Sequence, residues 1–154
     1  MNYISTLIAV KDMKASREFY HDVLGLKVVA DFGANVTLDG GIVLQTFDTW
    51  RSLIGADHIC LPNNAGELYF EEEDLEGFCS RLQTLDIRYV HELVEHRWGQ
   101  RVIRLYDPDG HMIEVGEPLK VVVLRFIEQG LSAEETAARM DVPVGFVASC
   151  LKER

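Results

Sequence analysis

One pattern of segments occurs twice in this chain, the second copy about 60 residues after the first, and few folds accommodate it. In the first copy, residues 3–10 are rich in β-branched and apolar side chains and read as a strand. Asp12 then caps a helix whose Ala15, Phe19, Val23 and Leu24 follow helical spacing, and Gly25 closes it in a left-handed conformation. Residues 26–31, 35–38 and 42–47 follow as three short strands, broken at Gly33 and at Gly40-Gly41. In the second copy a strand at 67–73 precedes Asp74 as cap, a helix through Phe78, Leu82 and Leu85, and strands at 89–94, 101–106 and 111–115. Asp12 aligns with Asp74, and Phe19 approximately with Phe78. Between the copies, 48–65 carries Trp50, Pro62 and Asn63-Asn64 without a sustained period and reads as the crossover connection. The expectation is an α+β fold: two tandem βαβββ modules, about 1–48 and 65–117, whose mixed sheets curve around a cavity.

The last two strands are joined by the most constrained chemistry in the chain. In Asp107-Pro108-Asp109-Gly110, proline presets φ, aspartate can bond its own backbone, and glycine accepts a positive φ. Alternation along the returning strand puts Met112 and Glu114 on one face and His111, Ile113 and Val115 on the other.

This closing hairpin, Asp-Pro-Asp-Gly-His-x-Ile-Glu, resembles that of the vicinal oxygen chelate superfamily, which includes the glyoxalases, the bleomycin and fosfomycin resistance proteins and the extradiol dioxygenases. Val10-x-Asp12, Phe19-Tyr20 and Val23-Leu24-Gly25-Leu26 match the family's opening helix, and the resemblance covers residues 1 to about 117. It implies four positions, on the first, fourth, fifth and eighth strands, that converge on a divalent ion in the enzymes. Carried over, these are Ser5, Gln45, Glu67 and Glu114. Ser5 is not expected to ligate, and Glu67 stands where histidine is frequent in the glyoxalases. The remaining two carboxylates and an amide oxygen make a hard site, suited to magnesium, manganese, calcium or nickel ahead of zinc.

The leading expectation is therefore a glyoxalase-like lyase or isomerase. Its ion would bind two vicinal oxygens of a small substrate and stabilise an enediolate, with Glu114 and Glu67 as catalytic carboxylates. The alternative is a metal-free small-molecule binding protein of the bleomycin-resistance type, with Glu67 and Glu114 hydrogen-bonded to Arg104, Tyr69 or water. Two carboxylates in one cavity require something positive, and a metal, Arg101, Arg104 or a cationic ligand would each serve. Ser5, Phe47, Tyr69, Trp98, Arg104 and Met112 are the expected pocket residues. Trp98-Gly99 reads either as a lid or as a packed rim, and Arg51, Arg97 and Arg101 are available for an anionic cosubstrate such as glutathione. His111 is in the opposite register from Glu114, while His58 and His96 lie on loops and read as solvated. The acidic run 71–74 suits a helix N-terminus and needs no chemistry.

From Pro118 the texture becomes all-helical, an extension of three helices over 118–154. Residues 121–127 are strongly apolar, Gly130 ends that segment, Ser132-Ala-Glu-Glu135 is a capping box, and Asp141-Val-Pro143 precedes a third helix. Residues 135–151 also resemble a helix-turn-helix, which suggests a third reading, a ligand-sensing DNA-binding regulator. Against it, five basic and five acidic residues make the extension neutral, so residues 1–117 hold the whole net charge of −10. Pro143-Val-Gly-Phe146 offers no polar side chain to base edges, so DNA is not the expected partner and the extension reads as a packing module.

Composition bounds the rest. With 47% hydrophobic and 26% charged residues over 154 positions a packed core is expected, and the net charge opposes binding to phosphate backbones or anionic lipid. Cys60, Cys79 and Cys150 have no metal-binding or disulfide spacing and read as reduced, mostly buried residues of a cytoplasmic protein. The opening residues lack the charged region of a signal peptide, and no membrane span is expected. Paired modules and the apolar 121–127 segment favour a homodimer.

Overall fold

In the first module β1 (Thr6–Val10), α1 (Met13–Asp22), β2 (Val28–Asp31), β3 (Asn35–Leu38) and β4 (Ile42–Thr46) follow one another, and the strands lie in the order β1-β4-β3-β2. β1 pairs with β4 in parallel, Ile8 opposite Leu44, and the other neighbours are antiparallel. In the second module β5 (Asn63–Glu71), α3 (Leu75–Leu82), β6 (Arg88–Glu95), β7 (Arg101–Tyr106) and β8 (His111–Gly116) repeat the plan as β5-β8-β7-β6. Each module places its first strand beside its last. This is the duplicated βαβββ fold expected from the sequence, here seen in a computed structural model that describes residues 1–152.

The chain divides into two units: Met1–Gly66 with Tyr106–Met112, and Glu67–Leu105 with the chain from Ile113 onward. In the first, Val10, Tyr20, Val36, Leu38 and Leu44 are buried. The Asp12 carboxylate accepts the Ala15 N–H at 3.0 Å, so α1 begins where the capping residue stands. The hairpin tip belongs to this unit. Asp107 Oδ1 accepts the N–H groups of Asp109 and His111 at 2.9 and 2.8 Å, and Gly110 has φ +93°. The outer oxygens bind α1 and its approach: Tyr20 donates to Asp107 Oδ2 at 3.0 Å, and the Lys11 N–H to Asp109 Oδ2 at 3.1 Å. Burial raises the Asp107 pKa although these donors oppose it. Tyr20→Phe, which leaves Asp107 short of one buried donor, should cost about 1.5 kcal/mol in urea denaturation. A loss within error of zero would show that the hydroxyl does not hold the hairpin tip.

Three expectations are corrected here. Phe47 is not the end of a strand, and the connection is not irregular throughout, because α2 (Phe47–Ile54) occupies its first part. Phe47, Trp50 and Ile54 recur at helical spacing, and Gly55 stops the helix at φ +64°. Strand β1 begins at Thr6, so Ser5 lies just before it.

In the second unit Asp74 caps α3 through the Gly77 N–H at 2.9 Å. One face of the sheet buries Ile103, Leu105, Ile113 and Val115, and α3 buries Leu75, Phe78 and Leu82. Alternation leaves Glu67, Tyr69, Arg104 and Glu114 on the opposite face. Three helices follow, α4 (Leu119–Glu128), α5 (Ala133–Met140) and α6 (Val144–Lys152). They share a core of Val122, Val123, Phe126, Ala137, Met140, Val147 and Cys150. Both hydrogen bonds of the Ser132/Glu135 capping box form, and Asp141 turns the chain at φ +58°. Pro118 is the residue before α4. Among the cysteines Cys150 is buried, Cys79 half-buried and, against expectation, Cys60 exposed. Among the described residues no helix is long and apolar enough to cross a membrane.

Candidate functional site on the second sheet

Four polar side chains cross the second sheet, one from each strand: Glu67 on β5, Glu114 on β8, Arg104 on β7 and His91 on β6. Arg104 is their centre. Its Nε donates to Glu67 Oε2 at 2.8 Å and its Nη2 to Glu67 Oε1 at 3.4 Å, while Nη2 also forms an ion pair with Glu114 Oε2. Glu114 is buried at 6% exposure, so its charge depends on that guanidinium. On the other side Arg104 Nη1 lies 3.1 Å from His91 Nε2. Since arginine only donates, Nε2 accepts, and His91 Nδ1 donates to the Glu92 carbonyl at 2.8 Å. The two contacts assign the tautomer. Nearby on its loop, half-buried His96 has its pKa lowered by burial first and then by Arg104 and His91.

A second polar system ties this sheet to α4. Glu117, fully buried, accepts the Arg101 N–H at 3.0 Å, Arg101 Nε at 2.8 Å and Arg125 Nη2 at 2.9 Å. Burial alone would raise its pKa, but the hydrogen bonds from Arg101 and the Arg125 charge outweigh that and hold it below the usual value. Arg101 also donates to Glu76 at 2.8 Å. It is thereby committed to carboxylates of its own unit, which removes it from the arginines expected to be available for a cosubstrate.

Tyr69 and Trp98 meet around Gln100. The Trp98 indole donates to Gln100 Oε1 at 3.1 Å, and Gln100 Nε2 donates to the Tyr69 hydroxyl at 3.0 Å and to the Glu117 carbonyl at 2.8 Å. Trp98 stacks on His96 with centroids 4.4 Å apart, and Gly99 is buried against Phe126, so this segment is a packed rim. Met112 is half-buried two residues before Glu114 on β8. Ser5, Gln45 and Phe47 belong to the first unit. There Gln45 is buried, accepts from Asn35 Nδ2 at 2.7 Å and donates to Thr49.

The model of the glyoxalase-like domain family matches residues 3–120. The chain belongs to that family. A probable lactoylglutathione lyase of Synechocystis is 28% identical over 127 residues, which are 75% of this chain and 94% of the relative. A crystal structure of a protein of unknown function from Agrobacterium tumefaciens is 34% identical with a TM-score of 0.70, covering 77% of this chain and 94% of its own. The lactoylglutathione lyase of Agrobacterium tumefaciens is 28% identical with a TM-score of 0.56 over the same shares.

The residues of this glyoxalase-like protein fit a divalent ion poorly. Glu114 Oε2 is buried without an aligned hydrogen bond, which alone would suit an ion, but Arg104 Nη2 already lies against it. Both oxygens of Glu67 receive donors from the same guanidinium, and the Gln45 oxygen accepts from Asn35. Among the described residues no three His, Cys, Asp or Glu side chains form a group that could hold a metal. His91 and Glu117 were not singled out from sequence. Nothing in a strand pattern marks which histidine will stand beside an arginine, and Glu117 followed the expected strands by two residues.

Proposed function

We propose that this glyoxalase-like protein binds a small polar molecule on the acidic face of its second sheet without a divalent ion, Arg104 supplying the positive charge that Glu67 and Glu114 require. The observation that carries this reading is the single guanidinium placed against both carboxylates. A divalent ion on those carboxylates would face Arg104 at close range, a repulsion on the order of several kcal/mol at an effective dielectric near 20. Two carboxylates against one arginine leave the face negative, so the favoured ligand is cationic or rich in hydrogen-bond donors. Glu67, whose side chain is 33% exposed, is the carboxylate such a ligand reaches first.

The names of the two lactoylglutathione lyases support a second reading. In it Gln45, Glu67 and Glu114 hold magnesium, manganese or nickel, and Glu114 and Glu67 serve a lyase or isomerase reaction through an enediolate. That reading requires Arg104 to release both glutamates. Chelator-treated protein titrated with manganese, magnesium, nickel and zinc separates the two. No change in thermal stability is expected; a bound ion at a hundred times its dissociation constant would instead add about 2.7 kcal/mol. Such a gain, absent in Glu67→Ala and Glu114→Ala, would overturn the metal-free reading in favour of the metalloenzyme.

We take residues 1–117 as the glyoxalase-like domain and 118–154 as a packing extension of a cytoplasmic homodimer. The shared core of α4, α5 and α6 supports a packing role over DNA reading.

A further inference from the structure

A cavity lies on the face that Tyr69 and Glu71 share with Glu67, where the C-terminal helices meet the β6–β7 connection, and its lining does not include Glu67, Arg104 or Glu114. It has a volume of about 460 Å³, and its walls include Tyr69, Glu71, Trp98, Leu119, Met140 and Val142. That volume falls within the roughly 300–1,000 Å³ of ordinary small-molecule sites. Met140 and Val142 lie beyond residue 120, where the match to the glyoxalase-like domain ends, so part of the wall is contributed by the extension.

The wall has two chemistries. Trp98 and Tyr69 are aromatic, and Leu119, Met140 and Val142 are aliphatic or thioether surface, which together suit a flat apolar body. The polar groups form one chain of donors, from the Trp98 indole to Gln100, from Gln100 to the Tyr69 hydroxyl, and from that hydroxyl to Glu71 Oε1 at 3.3 Å. The chain ends on the exposed Glu71 carboxylate, beside the exposed Tyr69 ring and the half-buried Trp98. Burial, then the charge of Glu71, raises the Tyr69 pKa and keeps the phenol a donor. The walls also include Arg97 and Asp141, an exposed ion pair 3.7 Å apart, so the lining carries two carboxylates and one arginine.

We propose that this cavity is a separate ligand site for a planar aromatic cation, its rings against Trp98, Tyr69 and Met140 and its positive group beside Glu71. Aromatic faces and an adjacent carboxylate attract such a ligand together, and an aromatic anion would be repelled.

Proflavine, a flat tricyclic cation, and 2-anthracenecarboxylate, a flat anion, test this on the full chain by calorimetry. Trp50→Phe serves as the background for a fluorescence readout, leaving Trp98 as the tryptophan. Saturable proflavine binding that quenches Trp98 is expected, with no binding of the anion. Glu71→Gln should weaken proflavine about fivefold, as expected for a partly exposed charge pair. Val142→Trp should abolish binding by filling the cavity, while Glu67→Gln should leave it unchanged. Three results would each overturn the proposal: no saturable binding, equal binding of the anion, or sensitivity to Glu67→Gln in place of Glu71→Gln. The last would place the dye on the Glu67–Arg104–Glu114 row and leave the function proposed for that row standing.

Discussion

Glu117→Ala should remove about 3–5 kcal/mol of folding stability, as observed when one partner of a buried ion pair is deleted. The carboxylate is fully buried, and its two oxygens take the Arg101 backbone N–H, the Arg101 side chain and Arg125 Nη2. Without it two guanidiniums lose a common anion inside the protein. Arg125 retains the Gly99 carbonyl at 2.6 Å and Arg101 retains Glu76, but neither replaces the buried charge. Glu117→Gln keeps the shape yet turns one acceptor into a donor facing arginine, so it should cost nearly as much. Urea denaturation followed by tryptophan fluorescence measures both, and a loss under about 1 kcal/mol would reduce the pair to the worth of a surface salt bridge.

The same carboxylate gives a pH signature. Its folded pKa is lowered from the ordinary 4.5, because the arginine hydrogen bonds and charges overcome the opposing effect of burial. A depressed acid binds its proton less readily in the folded state than in the unfolded one. Its contribution is therefore fully present above 4.5 and is lost as pH falls from there through the folded value. Wild-type stability should decline more steeply below 4.5 than that of Glu117→Gln. Parallel curves would show that another group controls the acid limb.

Gly99→Ala should cost about 3 kcal/mol, from two sources that point the same way. Gly99 has φ +89°, a conformation that costs an L side chain about 1 kcal/mol. A Cβ there would also lie 2.2 Å from Phe126 Cζ and 2.6 Å from its Cε2, and overpacking adds about 1–3 kcal/mol. The ring has little room to yield. Phe126 is 5% exposed and lies beneath the guanidiniums of Arg125 and Arg139 at 5.4 and 5.5 Å. A double-mutant cycle with Phe126→Leu separates the sources. The smaller side chain should recover the clash and leave the backbone cost, so the two changes should be strongly non-additive. Simple additivity would mean that the glycine answers only to its backbone angle.

What was legible in the sequence is what neighbouring residues decide together. Asp12, Asp74 and Ser132 start their helices because each cap bonds an N–H three residues on. The Asp107–Gly110 turn forms because Asp107 collects N–H groups two and four residues along. Strand alternation placed Glu114 beside Met112 for the same local reason. The missed helix α2 was legible too, in the spacing of Phe47, Trp50 and Ile54 and the stop at Gly55, but its short length let it pass for a connection.

Only the tertiary structure decided which charges meet. Glu67 and Arg104 are 37 residues apart, Arg125 and the Gly99 carbonyl 26, and Arg101 and Glu117 16. No periodicity relates such pairs, because each depends on sheet order and on where α4 lies in its own unit. The sequence raised the need for a positive group near Glu67 and Glu114, and a metal, Arg101, Arg104 or a cationic ligand would each have served. Folding brought the Arg104 side chain across from the adjacent strand, and that placement sets one guanidinium against both carboxylates.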